Sequence, residues 1–183
     1  MCDSQQRNYR IFIAVNSILG FAMGLFAPFW FLFIERVGGS IESFGFAIGL
    51  MTIASALASY AVGRLSDVHG RKRFLIVSGL LEALIIVCYT FITTTVQLYV
   101  LQIIYGLVSA MQMTMETAYL GDITKKVQRG ADIGLYHAAI GLCAGVAAML
   151  GGVGVGMFGY HIIFYVTAAL IGGSTLVLFL LKE

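Results

Sequence analysis

Gln102, Tyr105, Ser109, Gln112 and Glu116 follow one another at steps of 3, 4, 3 and 4 in an otherwise apolar stretch. Helical periodicity puts all five on one face. Amides, hydroxyls and a carboxyl in such a row can hydrogen-bond a polar solute in a cavity, or simply a neighbouring helix. Asn16 and Glu82 are further polar groups set among isoleucine, leucine and valine. A carboxyl in such surroundings is either protonated or partnered, because an isolated charge there is costly. Glu82 and Glu116 are therefore candidate proton carriers, although a buried hydrogen bond accounts for Glu82 equally well. Met23, Phe26 and Trp30 could supply an apolar wall beside Asn16.

Catalytic chemistry has no comparable support. Cys2, Cys88 and Cys143 are dispersed, odd in number and without metal spacing. His69, His137 and His161 do not cluster. Gly154-x-Gly156-x-x-Gly159 matches a dinucleotide fingerprint by letter, but no strand precedes it. No nucleophile, metal site or cofactor site is expected, so the chain does not read as an enzyme.

The elements that must hold these side chains are membrane helices. The 183 residues are 60% hydrophobic and only 11% charged, against about a quarter charged in soluble domains. A bilayer core of roughly 30 Å takes about 20 apolar residues per helix. Six such runs can be read: about 9–34, 41–62, 74–92, 96–120, 132–157 and 161–181. They fill the chain as one all-α domain. The first run lacks the short apolar core and small-residue cleavage site of a signal peptide, and reads as a retained anchor.

Charge fixes the orientation. Arg7, Arg10, Arg64, Arg71, Lys72, Arg73, Lys125, Lys126, Arg129 and Lys182 fall in the tails and the even-numbered loops, and only Arg36 falls in an odd-numbered one. Ten cations against one place both termini in the cytoplasm. Topology thus accounts for the net charge of +2 without a nucleic-acid partner. Gly63–Arg73 alone carries five of the charged side chains. Its two glycines suit a tight turn between antiparallel helices, and Asp67 can pair with Arg71 or cap a helix N-terminus.

Gly63-x-Leu65-Ser66-Asp67-x-x-Gly70-Arg71-Lys72 resembles the signature loop of the major facilitator superfamily, secondary transporters that carry this loop between helices 2 and 3 on the cytoplasmic side. Gly121-Asp122, Arg129-Gly130 and Gly134 resemble that family's connection between helices 4 and 5. The resemblance covers the whole chain, as the N-terminal half of the usual twelve helices: six helices in two inverted three-helix repeats. It implies a cytoplasmic latch of Gly63, Asp67, Gly70, Arg71 and Asp122. It also implies a cavity for a small organic or amphipathic solute, bound by Asn16, Gln102, Tyr105, Ser109, Gln112 and Glu116. Two features depart from the family's proton-antiport pattern. Gln102 stands where exporters have an arginine, and Cys143, Ala147 and Ala148 interrupt the helix 5 motif.

A single half has nothing to rock against. The chain is therefore expected to pair with a second copy in a parallel homodimer, to pair with a different half, or to be a fragment of a longer transporter; a non-transporting membrane protein is the other class. The plasma (inner) membrane is the expected location. Small residues recur on the second helix (Gly45, Gly49, Thr52, Ala56, Ser59, Gly63) and on the fifth (Gly134, Ala138, Gly141, Gly145, Ala148, Gly152). They suit either close packing within the bundle or the contact between copies, where Asp67 would approach Ala131 of the partner subunit.

Overall fold

The computed structural model describes residues 2–37, 39–124 and 127–181. Lys125, Lys126 and Lys182 lie outside them, as do the side chains of Cys2 and Arg36. The described residues form helices and short connections: α1 (Cys2–Phe26), α2 (Trp30–Arg36), α3 (Ile41–His69), α4 (Arg71–Tyr89), α5 (Thr95–Ile123), α6 (Arg129–Phe158) and α7 (Tyr160–Val177). A 3-10 turn at Ala27–Phe29 joins α1 to α2, and another at Leu178–Leu180 extends α7.

Pro28, the single proline, breaks the first rod, because it lacks the N–H that would continue the helix. Ser40 and Thr94 start α3 and α5: their side chains accept from the amides of Ser43 at 3.4 Å and Gln97 at 3.3 Å. Side-chain capping of this kind satisfies amides that a helix start leaves unpaired.

The signature segment is more helical than its composition suggests. α3 runs straight through Gly63 to His69, and α4 begins at Arg71. The turn is one residue, Gly70, at φ 85° and ψ 140°, a conformation open to glycine and strained for other residues. Gly63 is therefore not a turn residue. It faces α5, where an added Cβ would stand 3.8 Å from Thr114 Cγ2. Asp67 lies in the last turn of α3 and caps no helix start. Gly159, at φ 78°, makes the corresponding corner between α6 and α7.

Two close pairs set the bundle: α1 against α6, and α3 against α5. α4 and α7 pack on each other, α4 also on α5 and α7 also on α1. Exchanging α1, α3 and α4 for α5, α6 and α7 maps this packing pattern onto itself. At the centre, Phe26, Phe33, Tyr89 and Phe164 form an aromatic cluster, with Phe26 and Phe164 rings 4.9 Å apart.

Glycine makes the close pairs possible. A Cβ on Gly24 would strike the Ala144 backbone of α6, and one on Gly106 would strike the Met51 carbonyl of α3. The small-residue stripes behave differently. Gly45, Gly49, Gly134, Gly141 and Gly145 have nothing within 4 Å of a built Cβ. Close packing within the bundle therefore uses other glycines, and these five positions lie on its open flanks.

Among the described residues, five helical segments are long and apolar enough to cross a membrane: Gln5–Glu35, Ile41–His69, Thr95–Ile123, Arg129–Phe158 and Tyr160–Leu180. α4 is the sixth rod. Its 19 residues span roughly 28 Å at 1.5 Å per residue, but they open on Arg71, Lys72 and Arg73 and enclose Glu82.

Candidate functional site

α4 and α5 run antiparallel, and their polar residues pair rung by rung. Tyr89 donates to Gln102 Oε1 at 2.9 Å, Tyr105 to Glu82 Oε1 at 3.1 Å, and Ser78 to Gln112 Oε1 at 2.7 Å. Ser78, Glu82 and Tyr89 recur at steps of 4 and 7, the helical spacing that brings one face of α4 onto the stripe of α5. The last stripe residue, Glu116, accepts instead from the Tyr136 hydroxyl of α6.

This ladder divides the stripe. Gln102 is 2% exposed and its oxygen is engaged with α4, so it serves the bundle. Tyr105 is turned onto Glu82. Ser109 faces a separate open groove of about 700 Å³ between α3 and α5, rimmed by Thr52, Ser55, Ser59, Thr114 and Thr117. None of these three lines the central cavity.

That cavity, of about 290 Å³, lies between α1, α4, α5 and α6. Its polar lining is Asn16, Glu82, Gln112 and Glu116; Leu19, Met23, Ile140 and Ala144 form apolar walls. Asn16 commits its amide nitrogen to the Phe12 carbonyl at 2.9 Å. The Gln112 oxygen accepts from Ser78, and its amide nitrogen has no partner among the described residues. Both carboxylates are held by tyrosine hydroxyls, and no Lys, Arg or His lines the space. Glu82 is thus a cavity residue as well as a partner of Tyr105. Met23 forms wall as expected. Phe26 and Trp30 do not: Phe26 packs on Tyr89 and Phe164, and Trp30 on Phe44 and Tyr89.

At the other end of the same rods, Arg71 ties α3, α4 and α5 together. It forms an ion pair with Asp122, donates to the Ala118 carbonyl at 2.6 Å, and approaches Asp67 at 3.8 Å. The Arg71 and Asp122 side chains are 28% and 58% exposed, so the pair stabilises by only about 0.2–1 kcal/mol. Lys72 turns away from solvent and donates to the Phe179 and Leu181 carbonyls at 3.2 and 2.5 Å. Arg7 donates to the Leu180 carbonyl at 3.1 Å. Both cations cap carbonyls that the end of the last rod leaves unpaired. Arg129 does the same for α5, donating to the Gly121 carbonyl at 3.0 Å. The sequence signalled the cations but not their carbonyl partners, which only the packing brings into reach.

Among the described residues no group of three His, Cys, Asp or Glu could hold a metal ion.

Residues 12–183 match the family model described as Major Facilitator Superfamily. Over 150 residues the chain is 34% identical to the uncharacterized MFS-type transporter YitZ of Bacillus subtilis (strain 168), covering 82% of this chain and 92% of that protein. Multidrug resistance protein 2 of the same organism is 29% identical over 98% of this chain, but the match covers 45% of that protein. Multidrug resistance protein MdtG of Klebsiella pneumoniae (strain 342) is 25% identical over 84% of this chain and 38% of its own length. The chain thus spans less than half the length of these two multidrug resistance relatives.

Proposed function

The chain belongs to the Major Facilitator Superfamily, and from that premise we propose that it is a six-helix half which works as a secondary transporter by pairing with a second copy. Membership makes it an integral membrane protein of a transporter family, and not an enzyme. The observation that carries the proposal is the cavity: two carboxylates, an amide nitrogen without a partner among the described residues, and apolar walls, lined by four rods. Its ionisable lining is wholly acidic, which favours a neutral or cationic amphipathic solute over an anion. Asn16, Glu82, Gln112 and Glu116 bind the solute in this reading. Glu82 and Glu116 are the groups able to carry a proton.

Six crossings are part of the proposal. α4 crosses as the third rod, with Glu82 turned into the bundle, where an intramembrane acid is tolerated. The ten-to-one cation bias supports cytoplasmic termini in a plasma-membrane protein. The packing symmetry of α1, α3 and α4 with α5, α6 and α7 supports two inverted repeats.

Alternating access needs a second half. The open stripes of α3 and α6 support a parallel homodimer, with α3 of one copy against α6 of the other. Asp67, 69% exposed on its side chain, then faces the electropositive start of the partner's α6. The coverage of YitZ, 92% of its length, supports transport by half-length members. A second reading, pairing with a different half or belonging to a longer transporter, is favoured by the 45% and 38% coverage of the multidrug resistance relatives.

Two measurements test this proposal. Cells producing the chain should accumulate less ethidium, a cationic amphiphile, than cells with an empty vector. Tags at both ends should be labelled only after the membrane is permeabilised; an externally labelled C-terminus refutes six crossings.

A further inference from the structure

Two adjoining pockets share a rim where α3 turns into α4. One is polar, about 360 Å³, and includes Asp67, Arg71, Lys72, Tyr119 and Asp122. The other is about 240 Å³ and is floored by Leu65, Phe74, Val77 and Met111. His69 and Arg73 line both. The charges of the polar pocket are already engaged: Arg71 with Asp122 and Asp67, and Lys72 with the carbonyls of Phe179 and Leu181. Arg73 differs. It is exposed and makes no ion pair or hydrogen bond with the described residues. His69 Nδ1 lies 3.1 Å from the Leu65 carbonyl and donates to it, so Nε2 of the neutral ring can only accept.

We propose that this junction binds one anionic phospholipid, its phosphate on Arg73 and one acyl chain along Leu65, Phe74, Val77 and Met111. The inference rests on the membrane placement argued above, which sets the junction at the cytoplasmic headgroups, where anionic lipids are enriched. Charge selects the headgroup. The groove gains little over bulk lipid, since acyl chains are as apolar as its floor; its part is to fix the headgroup in register with Arg73. A free anion has no use for the groove and meets Asp67 and Asp122 in the open pocket. The lipid shares its rim with the Asp67–Arg71–Asp122 cluster, so its occupancy is placed to influence the latch.

Native mass spectrometry of the purified chain in neutral detergent tests this, using phosphatidylglycerol and phosphatidylcholine with identical acyl chains. One phosphatidylglycerol should be retained about five-fold more strongly than phosphatidylcholine, the effect of roughly one basic side chain near a membrane surface. R73Q should abolish the preference. V77W, which fills the groove from the exposed face, should weaken it, and R64Q on the exposed face of α3 should leave it intact. Equal retention of the two lipids, or retention unaffected by R73Q, overturns the proposal. Loss of the preference in R64Q as well means diffuse attraction and refutes a site. An unaltered V77W, or displacement by millimolar inorganic phosphate, reduces the junction to an ion site and refutes the lipid.

Discussion

Glu116→Gln is expected to leave the protein folded and inserted while reducing ethidium transport at least about tenfold. Hydrogen bonds to charged groups stabilise by about 1.5–3 kcal/mol, and each 1.4 kcal/mol is a factor of ten in affinity. The substitution keeps an oxygen for the Tyr136 hydroxyl, so the tie between α5 and α6 survives while the charge is lost. Glu82→Gln should behave similarly, because Glu82 lines the same cavity and its Tyr105 contact also survives in the amide. Gln112→Leu removes a neutral donor and should cost a few-fold; Ser78 still reaches the Leu75 carbonyl at 3.1 Å. Initial efflux rates at matched expression, with size-exclusion profiles as the fold control, decide the matter. Unchanged transport in both glutamate variants would remove the cavity from the mechanism.

The second large effect separates two kinds of glycine. Gly24→Leu and Gly106→Leu should prevent stable folding, because the new Cβ meets backbone of the facing helix, which cannot rotate away as a side chain can. Overpacking typically costs about 1–3 kcal/mol and occasionally more; a backbone obstacle puts these two at the upper end. Gly49→Leu and Gly145→Leu meet nothing within 4 Å and should leave each bundle as stable as before. In the proposed homodimer those positions face the second copy, so the same two variants should shift the protein from dimer to monomer. Thermal unfolding and oligomeric mass in a mild membrane mimetic give the two readouts. Dimers that persist in both Gly49→Leu and Gly145→Leu would exclude α3 and α6 as the contact.

The rods were legible in the sequence because the bilayer demands long apolar runs, and the signature residues Gly63, Asp67, Gly70 and Arg71 named the family that the match over residues 12–183 bears out. Finer features depended on partners. Gly63 and Gly70 look alike in a string, but only Gly70 takes a positive φ. The break at Pro28 was visible as a letter, yet it was read through as one continuous run. The stripe on α5 was correctly placed on one helix face, but its division between α4 and the cavity follows from the antiparallel register of α4, which no spacing within α5 can report. Glu82 follows the same rule: its depth is legible in the sequence, its Tyr105 partner is not. Ser78 and Tyr89, at steps of 4 and 7 about Glu82, were the signal that could have found the ladder.

The central claim is that two copies form one transporter, and single-cysteine crosslinking tests it most directly. Cys2, Cys88 and Cys143 are first replaced by serine. Asp67→Cys is placed in one tagged copy and Ala131→Cys in a differently tagged copy, and the two are produced together in the same membrane. Both positions are exposed on the isolated bundle. The account predicts a disulfide-linked pair carrying both tags, formed only when both cysteines are present and diminished by Gly49→Leu. A strictly monomeric protein in the bilayer, with no mixed-tag product under oxidising conditions, would contradict it.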